Sequence, residues 1–167
     1  VVVRAPEPGQ HYVLDALWLY KAARTFGLPW KPATRAEQST VERASVAIGP
    51  ERILEALRAP LSERLTDGEM FKIELDNATM QIHLAAGETP SVEVQTMSLD
   101  IYTKRFNGVL VAPAGSPTAK RYPISGRAHV MVEVPVVTKR MHSGEIIRKR
   151  DIELVLMRRD RIDRNAY

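Results

Sequence analysis

Hydrophobic and polar positions follow two different periods along this chain, and the switch falls near Met70. Before it, Val1 to Arg4 and Tyr12-Val13-Leu14 read as short strands separated by the turn APEPGQ. Asp15 stands at an N-cap position ahead of ALWLYKAARTF, where Leu17, Leu19, Tyr20, Ala23 and Phe26 form a broad apolar stripe. Gly27 sits where a helix C′ residue belongs. Leu28 to Pro32 is an extended connector whose Trp30 is expected to plug the core beside that helix. Thr40 to Ile48 reads as a strand, and Gly49-Pro50-Glu51 opens a second helix, with Pro at its first position and Glu51 at the positive end of its dipole. Ile53, Leu54, Leu57, Leu61 and Leu65 keep helical spacing, and Pro60 is predicted to kink or end the run.

From Met70 the period is two. Phe71, Ile73 and Leu75 alternate with Lys72 and Glu74, then Met80, Ile82 and Leu84 with Gln81 and His83, which predicts a hairpin turning at Asp76-Asn77. Ser91 to Ile101 predicts another strand with a shift of register inside it. A basic turn from Tyr102 to Gly108 precedes Val109-Leu110-Val111, and APAGSPTAK (Ala112 to Lys120) reads as a hairpin tip. Tyr122, Ile124 and Gly126 then lead into the longest strand, with Val130, Val132, Val134 and Val136 on one face and Met131 and Glu133 on the other. Pro135 cannot donate to a ladder, so that strand is expected to lie at an edge or to change direction there. Beyond it come Lys139-Arg140, a turn at His142-Ser143-Gly144, an inward-facing Ile146-Ile147 pair after Glu145, the charged turn Arg148-Lys149-Arg150, and Asp151 as a cap on Ile152-Glu153-Leu154.

Segregated helices and meandering strands predict an α+β fold: two helices packed on a mainly antiparallel sheet. The expected boundary lies near Met131 to Val137, dividing an N-terminal α+β domain (1–130) from a second module (131–167). With 44% apolar residues, 167 residues are enough to bury a core, and the absence of cysteine excludes disulfides and thiolate chemistry. No window has the length of apolar sequence a membrane span needs. The net charge of +4 is localised: from Lys139 onward nine Lys/Arg face five Asp/Glu, and before it the signs balance at fifteen each. Such a tail attracts phosphate, an acidic wall polymer or an acidic protein surface, or is a solvated turn-rich face.

Chemistry is sparse. His11, His83, His129 and His142 make no HxH or HxxxH pair, and His129, Met131 and Glu133 on one strand face are a poor nucleus for a zinc site. Neither a GxSxG elbow nor a GxGxxG or GxxxxGK[ST] loop occurs, so neither an enzyme nor a cofactor is expected. Nucleic acid is not expected either, since Tyr167 is the only aromatic residue after Lys139 to stack a base. Binding of another protein remains, because an open sheet edge accepts a strand through main-chain hydrogen bonds. A different reading takes Trp18 and Trp30 as stacking platforms of a cell-wall or carbohydrate-binding module.

The order VPVVTKRMHSGEIIRKRDIE (Val134 to Glu153) resembles the start of an SAF domain, a small β-clip module. Pro135, Gly144, Glu145, Ile147 and Asp151 carry that motif. With VERAS at Val41 to Ser45 and GRAHVMVEVPV at Gly126 to Val136, the sequence resembles the flagellar basal-body P-ring formation protein family (FlgA family). The resemblance implies a periplasmic chaperone for P-ring assembly around the flagellar rod, whose partner is the P-ring subunit. A complete SAF module would extend further, so the resemblance implies a truncated one here, on a sequence that starts without a signal peptide. SAF modules also occur in pilus-assembly proteins, an alternative assignment. No motif marks client-binding residues; the face bearing Met131 and Glu133 and the turn Arg148, Lys149 and Arg150 are the candidates.

Overall fold

The computed structural model describes residues 3–66, 68–142 and 144–162. In sequence order they form β1 (His11–Asp15), α1 (Ala16–Thr25), β2 (Gln38–Glu42), β3 (Ser45–Ile48), α2 (Pro50–Ser62), β4 (Met70–Leu75), β5 (Ile82–Ala85), β6 (Glu93–Leu99), β7 (Arg105–Ala112), β8 (Lys120–Val137) and β9 (Ile152–Arg158). Every strand pairing is antiparallel, and the fold is α+β.

The main sheet is organised on β8. Its order is β4-β8-β7-β6, with β9 also paired to β8. Residues 120–127 of β8 pair with β7, 126–131 with β4 and 131–137 with β9. Met131 pairs with both Met70 and Arg158, so β4 and β9 lie on opposite sides, and β9 continues the line of β7. α2 closes one face. Its Ile53, Leu57 and Leu61, spaced at four, are completely buried against Phe106, Leu110, Ile124 and Leu75 of the sheet. Each such side chain contributes about 1.5–3 kcal/mol by leaving water. The helix ends at Ser62, two residues past Pro60. The β3–β5 ribbon, too small to be stable alone, joins the same core through the directly paired Ile48 and Ile82, both fully buried.

β1 and β2 form a separate ribbon, and α1 follows directly on β1. Asp15 caps α1 by accepting from Trp18 N at 2.8 Å, and Gly27 ends it at φ 68°. Only Ala16 and Ala23 of α1 are buried, and Trp30, expected in the core, is 38% exposed. The stripe on α1 therefore has little to cover it among the described residues.

Other departures have physical causes. The predicted hairpin between Met70 and Leu84 does not form: β4 pairs with β8 and β5 with β3. Asp76 N donates to Ser125 O, and Asp76 Oδ2 accepts from Arg105 and Ser125, which ties the end of β4 to β7 and β8 instead of a tight turn. The single strand expected over Thr40 to Ile48 breaks at Arg43, whose backbone bonds to Gly9 and Gln10. Val3 and Arg4 lie in no strand; Val1 and Val2 are outside the described residues.

Candidate protein-binding edge and face

The β8–β9 ribbon carries most of the candidate residues. Backbone parity defines its edges. Ser125 O accepts from Asp76 N on the β4 side, and Ala128 N donates to Lys104 O on the β7 side. Odd-numbered backbone groups of β8 thus face β4, and even-numbered ones face β7 and β9. Beyond Met131 the β4 side is bare among the described residues, so the missing N–H of Pro135 points to an unpaired edge, as its chemistry requires. On β9 the same parity, through Val132 opposite Met157, turns Glu153, Val155 and Met157 toward β8. The N–H and C=O groups of Leu154 and Leu156 point outward, where no described strand receives them, whereas the N–H of Ile152 closes the preceding 3-10 turn by donating to Lys149 O.

Side chains on this ribbon make one apolar face. Met131 lies opposite Met70 and Arg158, Glu133 opposite Leu156, Pro135 opposite Leu154 and Val137 opposite Ile152. Leu154 is 62% exposed and Leu156 and Met70 are each 48% exposed, although exposed apolar stripes on strands are usually packed. Met131 is half-buried and Glu133 exposed, so the two candidates share this face. Next to it, a cleft of about 570 Å³ is lined by Leu54 and Arg58 of α2, Phe71 and Ile73 of β4, Met131 of β8 and Leu156 of β9.

The far end of the ribbon is a cationic turn. Arg148, Lys149 and Arg150 are exposed and pair with no carboxylate among the described residues. Gly144 turns the backbone at φ 86°, and Glu145 accepts from Lys139 Nζ at 3.3 Å and from His142 N at 3.2 Å. Ser143 is outside the described residues. Two expectations are corrected here. Ile146 and Ile147 are not driven inward; they are 78% and 53% exposed, because the ribbon projects past the main sheet with no described layer opposite it. Asp151 does not cap Ile152-Glu153-Leu154, which is strand. It closes the short 3-10 turn Lys149–Asp151 by accepting from Arg148 N at 3.0 Å, and Lys139 Nζ lies 3.4 Å from its other oxygen.

Where the ribbon meets the main sheet, a charge network joins three strands. His129, buried on β8, donates from Nε2 to Glu74 Oε2 of β4 at 2.9 Å, and Arg158 of β9 lies 3.6 Å from the same oxygen. Arg158 also donates two parallel bonds to Asp160, at 3.1 and 2.8 Å, which holds the Asp160 carboxyl below its ordinary value and the guanidinium above its own. Among the described residues no three His, Cys, Asp or Glu side chains converge as a metal site would need, and no helix is long and apolar enough to cross a membrane. Ile152, Leu154 and Leu156 were not singled out in the sequence; the alternation in IELVLM was their signal, masked by Asp151 read as a cap.

The fold and this site define an α+β protein with an exposed strand edge and an apolar face beside it. Comparison with protein-family models, curated proteins and solved structures finds no match.

Proposed function

We propose that this protein is a periplasmic assembly chaperone that takes up a strand of the flagellar P-ring subunit along β9, before or during ring formation around the rod. One observation carries the reading: β9 offers outward main-chain groups at Leu154 and Leu156 without an intervening proline, flanked by exposed side chains at Ile152, Leu154 and Leu156. Pairing with such an edge covers an immature subunit without any cofactor. The resemblance over Val134 to Glu153 supplies the client's identity. The cationic turn Arg148 to Arg150 favours an acidic segment next to the paired strand.

Capture of purified P-ring subunit on the immobilised protein, at low and moderate salt, tests this. Binding is expected, with the charge-dependent part weakening as salt rises. Leu154→Pro removes one outward donor but none of the bonds to β8, so it should abolish capture while amide protection at Glu153 and Val155 persists. No retention at either salt, or full retention by Leu154→Pro, sinks the proposal. Retention of pilus subunits instead would favour the other SAF assignment. The exposed Trp30 keeps a second reading, a wall-glycan surface, which quenching of Trp30 fluorescence by soluble wall fragments would support.

A further inference from the structure

The end of β9 and the start of β7 meet across Ala128 and Val130 of β8, and between them lies a cleft of about 400 Å³. Lys104, Arg127, His129, Arg159 and Asp160 line it, with Tyr102, 90% exposed, at its lip. Most of these charges are already matched. Arg159 donates to Glu69 Oε1 at 3.2 Å, and Lys104 lies 3.9 Å from Glu69 Oε2, a shielded oxygen that has no hydrogen-bond partner among the described residues. His129 is bonded to Glu74, and Asp160 to Arg158.

Arg127 is different. Among the described residues it has no carboxylate partner, and its Nε is shielded from solvent with no acceptor. A shielded donor left unmet is unfavourable, and more so when charged. Its cross-strand neighbour Glu74 is turned to His129 and Arg158, and on the other side Arg105 stands directly opposite, a like charge that is itself committed to Asp76 at 2.8 Å. A second oddity frames the cleft: Lys104 holds a left-handed backbone at φ 56°, kept there by its N–H to Asp100 O and its C=O from Ala128 N. Non-glycine residues avoid that region, and such strain concentrates where a site is built.

We infer that this cleft is a binding site for a monocarboxylate, held by the Arg127 guanidinium beside Lys104 and Arg159. A planar carboxylate matches the two terminal amino groups of the guanidinium with two bonds, the shielded Nε itself lying out of a ligand's reach. Among the described residues one uncompensated cation suits one negative charge; a phosphate dianion would bring a second beside the Glu69 carboxylate, which only Arg159 bonds. This site is independent of the β9 edge.

Titration of the isotopically labelled protein, following the Arg127 side-chain Nε–H signal, tests it. Propionate stands for an acidic side chain and N-acetylglycine for the terminal carboxylate of a polypeptide; N-acetylglycinamide is the neutral control and inorganic phosphate the dianion. A saturable response to either carboxylate, weaker by about 10- to 100-fold for the amide, is expected from a charged two-bond contact. Arg127→Lys keeps the charge but not the fork, and should weaken binding about 10-fold, read at Ala128 and His129 amides. Arg121→Met, which alters an arginine bonded to Gln95 elsewhere on the sheet, should change nothing. Equal shifts with every salt, phosphate binding more tightly than the carboxylates, or unchanged affinity in Arg127→Lys would each overturn the assignment.

Discussion

Alanine at Gly126 should destabilise the protein by about 2 kcal/mol, because a side chain there meets both neighbours of β8. A Cβ at this position would press on the Glu74 carbonyl of β4 and lie 2.7 Å from Phe106 Cζ and 3.0 Å from its Cε1. Neither neighbour moves easily. The Glu74 carbonyl belongs to the β4–β8 ladder, and Phe106 is completely buried among the residues that α2 covers. Overpacking of this kind costs about 1–3 kcal/mol, and pressure from two sides puts it at the upper end. Alanine also restricts the unfolded state, which returns about 0.4–1 kcal/mol. The difference is the net figure.

Urea unfolding of four proteins separates the two clashes: the parent, Gly126→Ala, Phe106→Leu and the double variant. With m near ~2 kcal/mol/M, the alanine variant's midpoint should fall by about 1 M at unchanged m. In the Phe106→Leu background only the clash with Glu74 remains, so the same change should cost about half as much, a coupling near ~1 kcal/mol. A cost below about 0.5 kcal/mol, or an equal cost in both backgrounds, would refute the close approach of β8 to Phe106.

Two further measurements follow from local geometry. At φ 56°, Lys104→Gly should be more stable than Lys104→Ala by about 1 kcal/mol although both lose the amine, and equal urea midpoints would remove the strain from the β7 turn. Three carboxyls have depressed values: Asp100 through bonds from the Thr103 and Tyr102 N–H groups, Asp160 through Arg158, and Glu7 through Lys120. Their contribution is therefore complete above the ordinary carboxylate range, about pH 4, and fades as pH falls through the depressed folded values; unfolding followed from pH 7 to pH 2 should steepen there, less so in Asp100→Asn, and loss confined to pH above 6 would contradict it.

What the sequence made legible was local. Asp15 and Gly27 mark the ends of α1 by chemistry confined to a few residues, the interrupted alternation after Val94 announces the register shift in β6, and Pro135 predicts its own bare edge. What it hid depends on partners distant in sequence. Alternation in Phe71-Ile73-Leu75 states that one face is buried but not that β8, rather than β5, lies alongside. Ile146 and Ile147 look like core by composition and are exposed because their ribbon outruns the sheet. Arg127 reads as an ordinary wet residue until Glu74 is seen turned away from it.

The edges of the main sheet explain why β9, and not another strand, is the candidate. A sheet edge invites pairing unless something blunts it. The β6 edge is broken by the register shift between Val94 and Thr96. The bare stretch of β8 is interrupted by Pro135, whose missing donor faces outward. Beside β4, Leu54 and Arg58 of α2 flank Phe71 and Ile73. β9 has none of these devices past its first residue: no proline and no break in register from Ile152 to Arg158, and uncharged side chains at Leu154 and Leu156, whose backbone faces out. Left bare, such a strand pairs indiscriminately and aggregates. Under the proposed function the missing protection has a purpose, since the groups that would aggregate are those a client strand must reach. Leu154→Lys, a charge of the kind that blunts edges elsewhere, should then lower self-association and client capture together, and a variant that lost only one of the two would separate aggregation from recognition.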